Sequence, residues 1–124
     1  MLSAEQLKKV PPGVRPIVES AIGTVRAAAG GADEIPYRMA QPRSKSMMWK
    51  LVRFAVDGEP VVGVGTFTAH SALFFYRGRE LDDGSGLLQG RGKDTRFVTL
   101  RSPADAQKPA VKGLVRAAFK LAAS

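Results

Sequence analysis

The sequence of 124 residues contains no cysteine. This absence excludes disulfide bonds, thiolate metal sites, iron–sulfur ligation by cysteine and cysteine nucleophiles. A chain of this length buries roughly two-thirds of its unfolded surface when it folds, so it can be stable without such cross-links. Apolar runs long enough to cross a bilayer are also missing, and both absences predict a cytoplasmic protein with no membrane partner.

Histidine is scarce as well, because His70 is the only one in the chain. No second histidine, cysteine or serine-elbow motif offers it a partner for a catalytic triad or a metal site. The pattern favours a histidine in a turn. We therefore predict that the protein is not an enzyme and holds no cofactor, apart from the iron alternative considered below.

Acidic residues are outnumbered, since 19 Lys and Arg against 11 Asp and Glu give a net charge of +8. Such a charge favours encounters with anions. Two stretches without acids are candidate anion-facing surfaces, although cations late in a helix also fit a solvated face that stabilises the helix end. The first stretch, Ile35 to Val56, contains Arg38, Arg43, Lys45, Lys50 and Arg53, and the second, beyond Asp105, contains Lys108, Lys112, Arg116 and Lys120.

Apolar residues recur at three- and four-residue steps in two segments, which is typical of helices packed on one face. A short opening helix capped at Ser3 is expected to end at Pro11-Pro12. The first long helix is predicted from Gly13 to Ala28, and Gly30-Gly31 is expected to end it in the left-handed conformation. The last helix follows an N-cap at Ser102, and its longer part begins at Pro109. Its predicted buried face consists of Val111, Leu114, Val115, Ala118, Phe119 and Ala122.

Runs of β-branched and aromatic residues between these helices predict strands. Asp57-Gly58 predicts a tight hairpin turn, because both residues tolerate positive φ. Pro36 would place a short strand from Asp33 to Met39 at a sheet edge or a bulge. The other predicted strands are Met48 to Val56, Glu59 to Phe67, Leu73 to Tyr76 and Arg96 to Arg101. The first of these alternates partly, with Trp49, Leu51, Arg53 and Ala55 on one face and Lys50, Val52, Phe54 and Val56 on the other, and the pattern alone does not say which face is buried.

This order of elements predicts an α+β two-layer sandwich, with the N- and C-terminal helices packed on one face of a mostly antiparallel sheet. No internal repeat or linker divides the sequence, so residues 1–124 are predicted to form a single domain. The segment from Gly78 to Lys93 is too rich in glycine and charge for a strand, although Leu87 and Leu88 are expected to anchor it to the core.

Gly90-Arg91-Gly92-Lys93 resembles a phosphate-binding loop, because glycines let backbone amides approach an anion. The spacing of a Walker loop is not met, since Leu87 occupies the position of its first glycine and Asp94 that of its hydroxyl. The favoured interpretation is a tight turn with solvated bases. Arg91, Lys93 and Arg96 are kept as candidate anion-binding residues.

Acidic side chains cluster at Glu80, Asp82 and Asp83, and they could supply oxygen ligands to a divalent cation, with His70 as a further ligand. The alternative is local pairing with the neighbouring arginines Arg77, Arg79, Arg91 or Arg96, which would order the loop without a ligand.

Several segments together resemble the YdhG-like bacterial family, a domain of unknown function. The resemblance is carried by the run from Phe74 to Asp83, by Gly86 to Lys93 and by Arg96 to Ser102, with weaker agreement over most of the chain. It implies a fold close to those of frataxin and the secretion chaperones. Some relatives are regarded as intracellular iron chaperones, although frataxin-type delivery relies on an acidic helix edge, and the first long helix here has only Glu19.

We predict a non-enzymatic binding module for an anionic ligand or an acidic protein surface. A frataxin-like iron chaperone is one alternative. A weak nucleic-acid binder is another alternative. Basic residues are interleaved with Tyr37, Met47, Met48 and Trp49, a composition that suits stacking on nucleobases. The candidate anion-binding residues are Arg43, Lys45, Lys50, Arg53, Arg91, Lys93 and Arg96.

Overall fold

The computed structural model of the protein describes residues 4–37, 48–82 and 84–123. Within these residues, five strands form one antiparallel sheet in which consecutive strands are neighbours. The strands are β1 (Asp33–Pro36), β2 (Trp49–Val56), β3 (Glu59–Thr66), β4 (Ser71–Phe75) and β5 (Arg96–Leu100). The helices are α1 (Ala4–Lys8), α2 (Arg15–Ala28), α3 (Pro103–Ala106) and α4 (Pro109–Ala123), and a short 3-10 turn spans Gly78–Glu80.

Helices α2 and α4 pack on the same face of the sheet, where both contact β3. The apolar stripes of the two helices join Val62, Val64, Leu73 and Phe75 in one hydrophobic cluster. These four strand residues share a face because Val64 pairs with Leu73 and Val62 with Phe75. The predicted α+β two-layer arrangement is therefore confirmed.

Helix α2 ends at Ala28 without a left-handed residue. The N–H of Ala29 donates to the carbonyl of Val25 at 3.0 Å, and Ala29 itself leaves the helix with φ of −149°. Among the described glycines, positive φ occurs at Gly58, Gly86 and Gly90. The predicted left-handed role of Gly30-Gly31 was therefore wrong, because an extended Ala29 already turns the chain away from the helix.

The hairpin turn at Asp57-Gly58 is confirmed, with φ of 51° and 80° at its two residues. Two successive positive φ angles match the right-handed twist of the flanking strands. Strand β1 lies at the sheet edge, and Pro36 is its last residue. The predicted edge position of Pro36 is thus confirmed, whereas Met39, the predicted end of that strand, lies outside the described residues.

A bulge interrupts β2 at Leu51. Lys50 pairs with Gly65 and Val52 pairs with the adjacent Val64, so Leu51 is an extra residue on β2. Leu51 and Val52 are both fully buried in the helix-side core. The predicted division of β2 between two alternating faces was therefore wrong, because a bulged strand does not keep the period of two.

The connection between β4 and β5 is fixed by backbone contacts. A Cβ atom on Gly78 would lie 2.5 Å from the Cβ and 2.8 Å from the backbone nitrogen of Arg96, so only glycine fits there. Gln89 and Phe97 exchange backbone hydrogen bonds of 2.8 and 2.9 Å, which tie the loop to the outer edge of β5. Leu87 and Leu88 pack against the core, as predicted.

Candidate anion-binding site on the open sheet face

The face of the sheet opposite α2 and α4 is called the open face here. Strand pairing places two rows of residues across it from β2 to β5. Ala72 and Phe74 are buried but do not belong to the helix-side core, in agreement with this placement. One row contains Arg53, Gly63, Phe74 and Phe97, and the other contains Lys50, Gly65, Ala72 and Thr99.

Three rings form an aromatic cluster on the open face: Tyr37, Phe74 and Tyr76. The Phe74 ring lies 6.5 Å from that of Tyr37 and 5.6 Å from that of Tyr76, measured between centroids. The two tyrosine hydroxyls are hydrogen-bonded to each other. The Phe74 ring covers Gly63, where a Cβ atom would lie 2.1 Å from Cζ of the ring. Glycine at this position therefore makes the space that the cluster occupies.

Two cations converge on the ring of Tyr37. The Nζ atom of Lys50 lies 5.7 Å and Cζ of Arg53 lies 4.9 Å from its centroid. Lys50 also lies 5.6 Å from the centroid of Phe74. These distances are in the range of cation–π contacts, each of which contributes about 0.5–1 kcal/mol at exposed sites. In the described part of the chain, no ion pair involves Lys50 or Arg53.

The bulge at Leu51 is what places these cations together. Lys50 and Arg53 are three positions apart, so strict alternation would direct them to opposite faces. With Leu51 as an extra residue, both lie on the open face, Lys50 exposed and Arg53 half-buried. Burial raises the pKa of Tyr37, and the Arg53 charge and hydrogen bond oppose that shift. The Tyr37 phenol therefore stays neutral at neutral pH, and the site keeps its positive charge.

No protein-family model, curated protein or solved structure matches this chain. The resemblance to the YdhG-like family stays a prediction, and so does the iron-chaperone role that it implies. No helix among the described residues has the length and apolar character needed to span a membrane. The candidate site is therefore defined by geometry alone.

The other candidate anion-binding residues are not part of the Lys50 and Arg53 site. Arg91 and Lys93 are exposed in the loop that precedes β5. The Arg96 guanidinium donates to the carbonyls of Gly92 at 2.6 Å and Thr95 at 2.9 Å, so it holds this loop in place. Arg43 and Lys45 lie outside the described residues.

The described candidate metal ligands, His70, Glu80 and Asp82, do not form one group. Glu80 accepts two hydrogen bonds from Arg77, of 2.6 and 2.9 Å, and these bonds lower the pKa of Glu80. Local pairing with an arginine is thus confirmed for Glu80. His70 precedes β4 whereas Glu80 follows its other end, so the strand separates them. Within the described ranges no three potential ligands form a group, and Asp83 lies outside them. Asp82 is exposed.

Phe74 and Tyr76 were not predicted as parts of a site, because aromatic residues in a strand are typical of a core. A signal was present in the spacing of Gly63 and Gly65, which remove two side chains from the same face of a central strand. Glycine inside a strand often marks a close approach of another group. Here the groups are Phe74 over Gly63 and the Met48 side chain over Gly65.

His70 lies in the turn before β4, as predicted, and its ring stacks on Phe67 with centroids 4.5 Å apart. Burial lowers the pKa of His70 below its ordinary value of 6.5, and the nearby Arg101 charge lowers it further. The unfolded chain therefore binds this proton more readily than the folded protein does. The stabilising contribution is complete above pH 6.5 and is lost as the pH falls through the lowered pKa.

We expect a His70→Gln variant to lose this pH dependence. Between about pH 5 and 7.5 the free energy of unfolding of the wild type should rise more steeply than that of the variant, because only the wild type has the titrating group. Urea unfolding at several pH values measures the difference. Parallel plots of the free energy of unfolding against pH for the two proteins would contradict a lowered pKa of His70 in the folded protein.

Proposed function

We propose that the protein is a non-enzymatic binding module that holds an anionic group at Lys50 and Arg53 on the open face. The observation that carries the proposal is the convergence of both cations on the Tyr37 ring, at 5.7 and 4.9 Å, without a described carboxylate within ion-pair distance. Two like charges within about 6 Å of one ring centroid repel each other, and a bound anion lowers that cost.

The chemistry of the two cations fits phosphate or carboxylate groups. The planar guanidinium of Arg53 presents paired N–H donors that match two oxygens of such a group, and the ammonium of Lys50 adds a point charge. The net charge of +8 raises the rate of encounter with anionic partners. The absence of cysteine supports a proposed location in a reducing, cytoplasmic compartment.

Calorimetric titration with tripolyphosphate at low and high salt tests the proposal. We expect salt-sensitive binding, and a Lys50→Gln, Arg53→Gln double variant should bind at least about ten-fold more weakly. The estimate follows because one hydrogen bond to a charged group contributes about 1.5–3 kcal/mol, and 1.4 kcal/mol corresponds to a factor of ten.

A matched control removes the same charge from α4. Arg116 and Lys120 are exposed on that helix, so Arg116→Gln, Lys120→Gln changes the net charge by the same amount away from the open face. We expect this control to bind tripolyphosphate nearly as well as the wild type does. If the α4 variant loses binding and the open-face variant keeps it, the site lies on α4 and the proposal is wrong.

A further inference from the structure

We infer that the anionic partner is single-stranded nucleic acid, bound across the open face with its phosphates at cations and its bases on the aromatic rings. This inference rests on the proposed function and names the class of ligand for the same site. It is carried by the order in which cations and rings follow one another across the sheet.

One row of the open face begins at a cation, Arg53, and ends at an aromatic ring, Phe97. These two residues lie on β2 and β5, three strand spacings or about 14 Å apart, and Phe74 stands between them in the register. The loop that precedes β5 extends the row past this edge of the sheet, since Gly90 lies against Phe97, where a Cβ atom would be 3.5 Å from the ring. Arg91 is the next residue in the chain after Gly90 and is exposed, so a second cation is adjacent to this end of the row.

Aromatic rings with exposed surface lie on the same face as these cations. Half-buried rings are those of Tyr37, Tyr76 and Phe97. Phe74 is only 2% exposed, and its ring packs against those of Tyr37 and Tyr76. Stacking of one base on an aromatic side chain strengthens binding by roughly five-fold to more than a hundred-fold and tolerates any base. Proteins that bind single strands without sequence preference commonly combine cations along the nucleic-acid backbone with aromatic rings that stack on the bases.

The open face suits a single strand better than a duplex or an acidic peptide. Helices α2 and α4 lie on the opposite face of the sheet, where they cannot enter a groove of a duplex docked on the open face. Exposed rings on a sheet bind bases that are unstacked from their neighbours, as in single strands. An acidic peptide supplies the charge but no planar bases for the rings.

Fluorescence anisotropy with the full chain tests the inference on three labelled probes of equal charge. They are oligothymidylate about twelve nucleotides long, an abasic oligomer of the same length, and a polyglutamate peptide. We expect oligothymidylate to bind at least about five-fold more tightly than the abasic oligomer, which corresponds to one stacked base. Polyglutamate should bind most weakly.

Two sets of variants separate rings from charges. Phe97→Leu keeps an apolar side chain but removes the ring, so it should weaken oligothymidylate binding about five-fold or more and leave the abasic oligomer unaffected. Tyr76→Leu tests a second ring in the same way. Lys50→Gln, Arg53→Gln should weaken both oligomers and reduce the slope of log affinity against log salt by about 1.4, the value for two phosphate contacts on a single strand.

The possible failures are distinguishable. Equal binding of oligothymidylate and the abasic oligomer, with no effect of either ring variant, would overturn the single-strand inference and leave the anion site standing. Tighter binding of polyglutamate would overturn it in favour of an acidic protein surface. Salt-insensitive or absent binding of all three probes, and of tripolyphosphate, would overturn the proposed function as well.

Discussion

Replacing Leu51 by alanine is expected to lower the free energy of unfolding by about 2–5 kcal/mol, the range for a buried leucine that leaves a cavity. Leu51 is fully buried in the helix-side core although it is the extra residue of a bulge. Its loss also weakens the bulge that places Lys50 and Arg53 on the same face. Urea unfolding of the variant and the wild type measures the difference.

Leu87→Ala is the matched control for this prediction. The Leu87 side chain is half-buried against the same core, so its truncation should cost about 1 kcal/mol, roughly half of the value for full burial. Strict alternation along β2 would instead place Leu51 beside Arg53 on the open face. A cost for Leu51→Ala no larger than that for Leu87→Ala would therefore contradict the bulge.

The helices and the layer arrangement could be predicted from the sequence because each depends on a local pattern. The apolar stripe from Val111 to Ala118 directs α4 onto the sheet, and the same residues are buried in the structure. The Ser102 side chain accepts a hydrogen bond from the N–H of Asp105, as expected for an N-cap. The positive φ at Asp57-Gly58 is likewise a property of two adjacent residues.

The candidate site could not be predicted in the same way, because it depends on strand register. An extra residue in β2 is a property of how β2 and β3 pair. The run Lys50-Leu51-Val52 alone does not determine which of its residues face the core. The adjacent apolar pair Leu51-Val52 was the one local sign that alternation fails there. The loop acid Glu80 is different, since its partner Arg77 is three residues away and local pairing was foreseeable.

Replacing Gly63 by alanine is expected to destabilise the protein by about 1–3 kcal/mol and to weaken anion binding. The new Cβ atom would lie 2.1 Å from Cζ of Phe74, so the ring must move away from β3. Phe74 is 2% exposed and contacts Lys50 and Tyr37, so its displacement disturbs the cations as well as the packing. Urea unfolding and tripolyphosphate titration measure the two effects.

Two further variants test whether collision with the Phe74 ring causes the destabilisation by Gly63→Ala. Gly63→Ala combined with Phe74→Leu removes the colliding ring atoms, so the costs of the two substitutions should not add, and a double-mutant cycle should show a coupling of about 0.5–3 kcal/mol. Gly23→Ala makes the same change inside α2, where no atom lies within 4 Å of the new Cβ, and it should stabilise the protein by about 0.5–1 kcal/mol. Additive costs in the cycle would show that the ring does not depend on glycine at this position. In that case the open face would not require Gly63 for the cluster that presents Lys50 and Arg53.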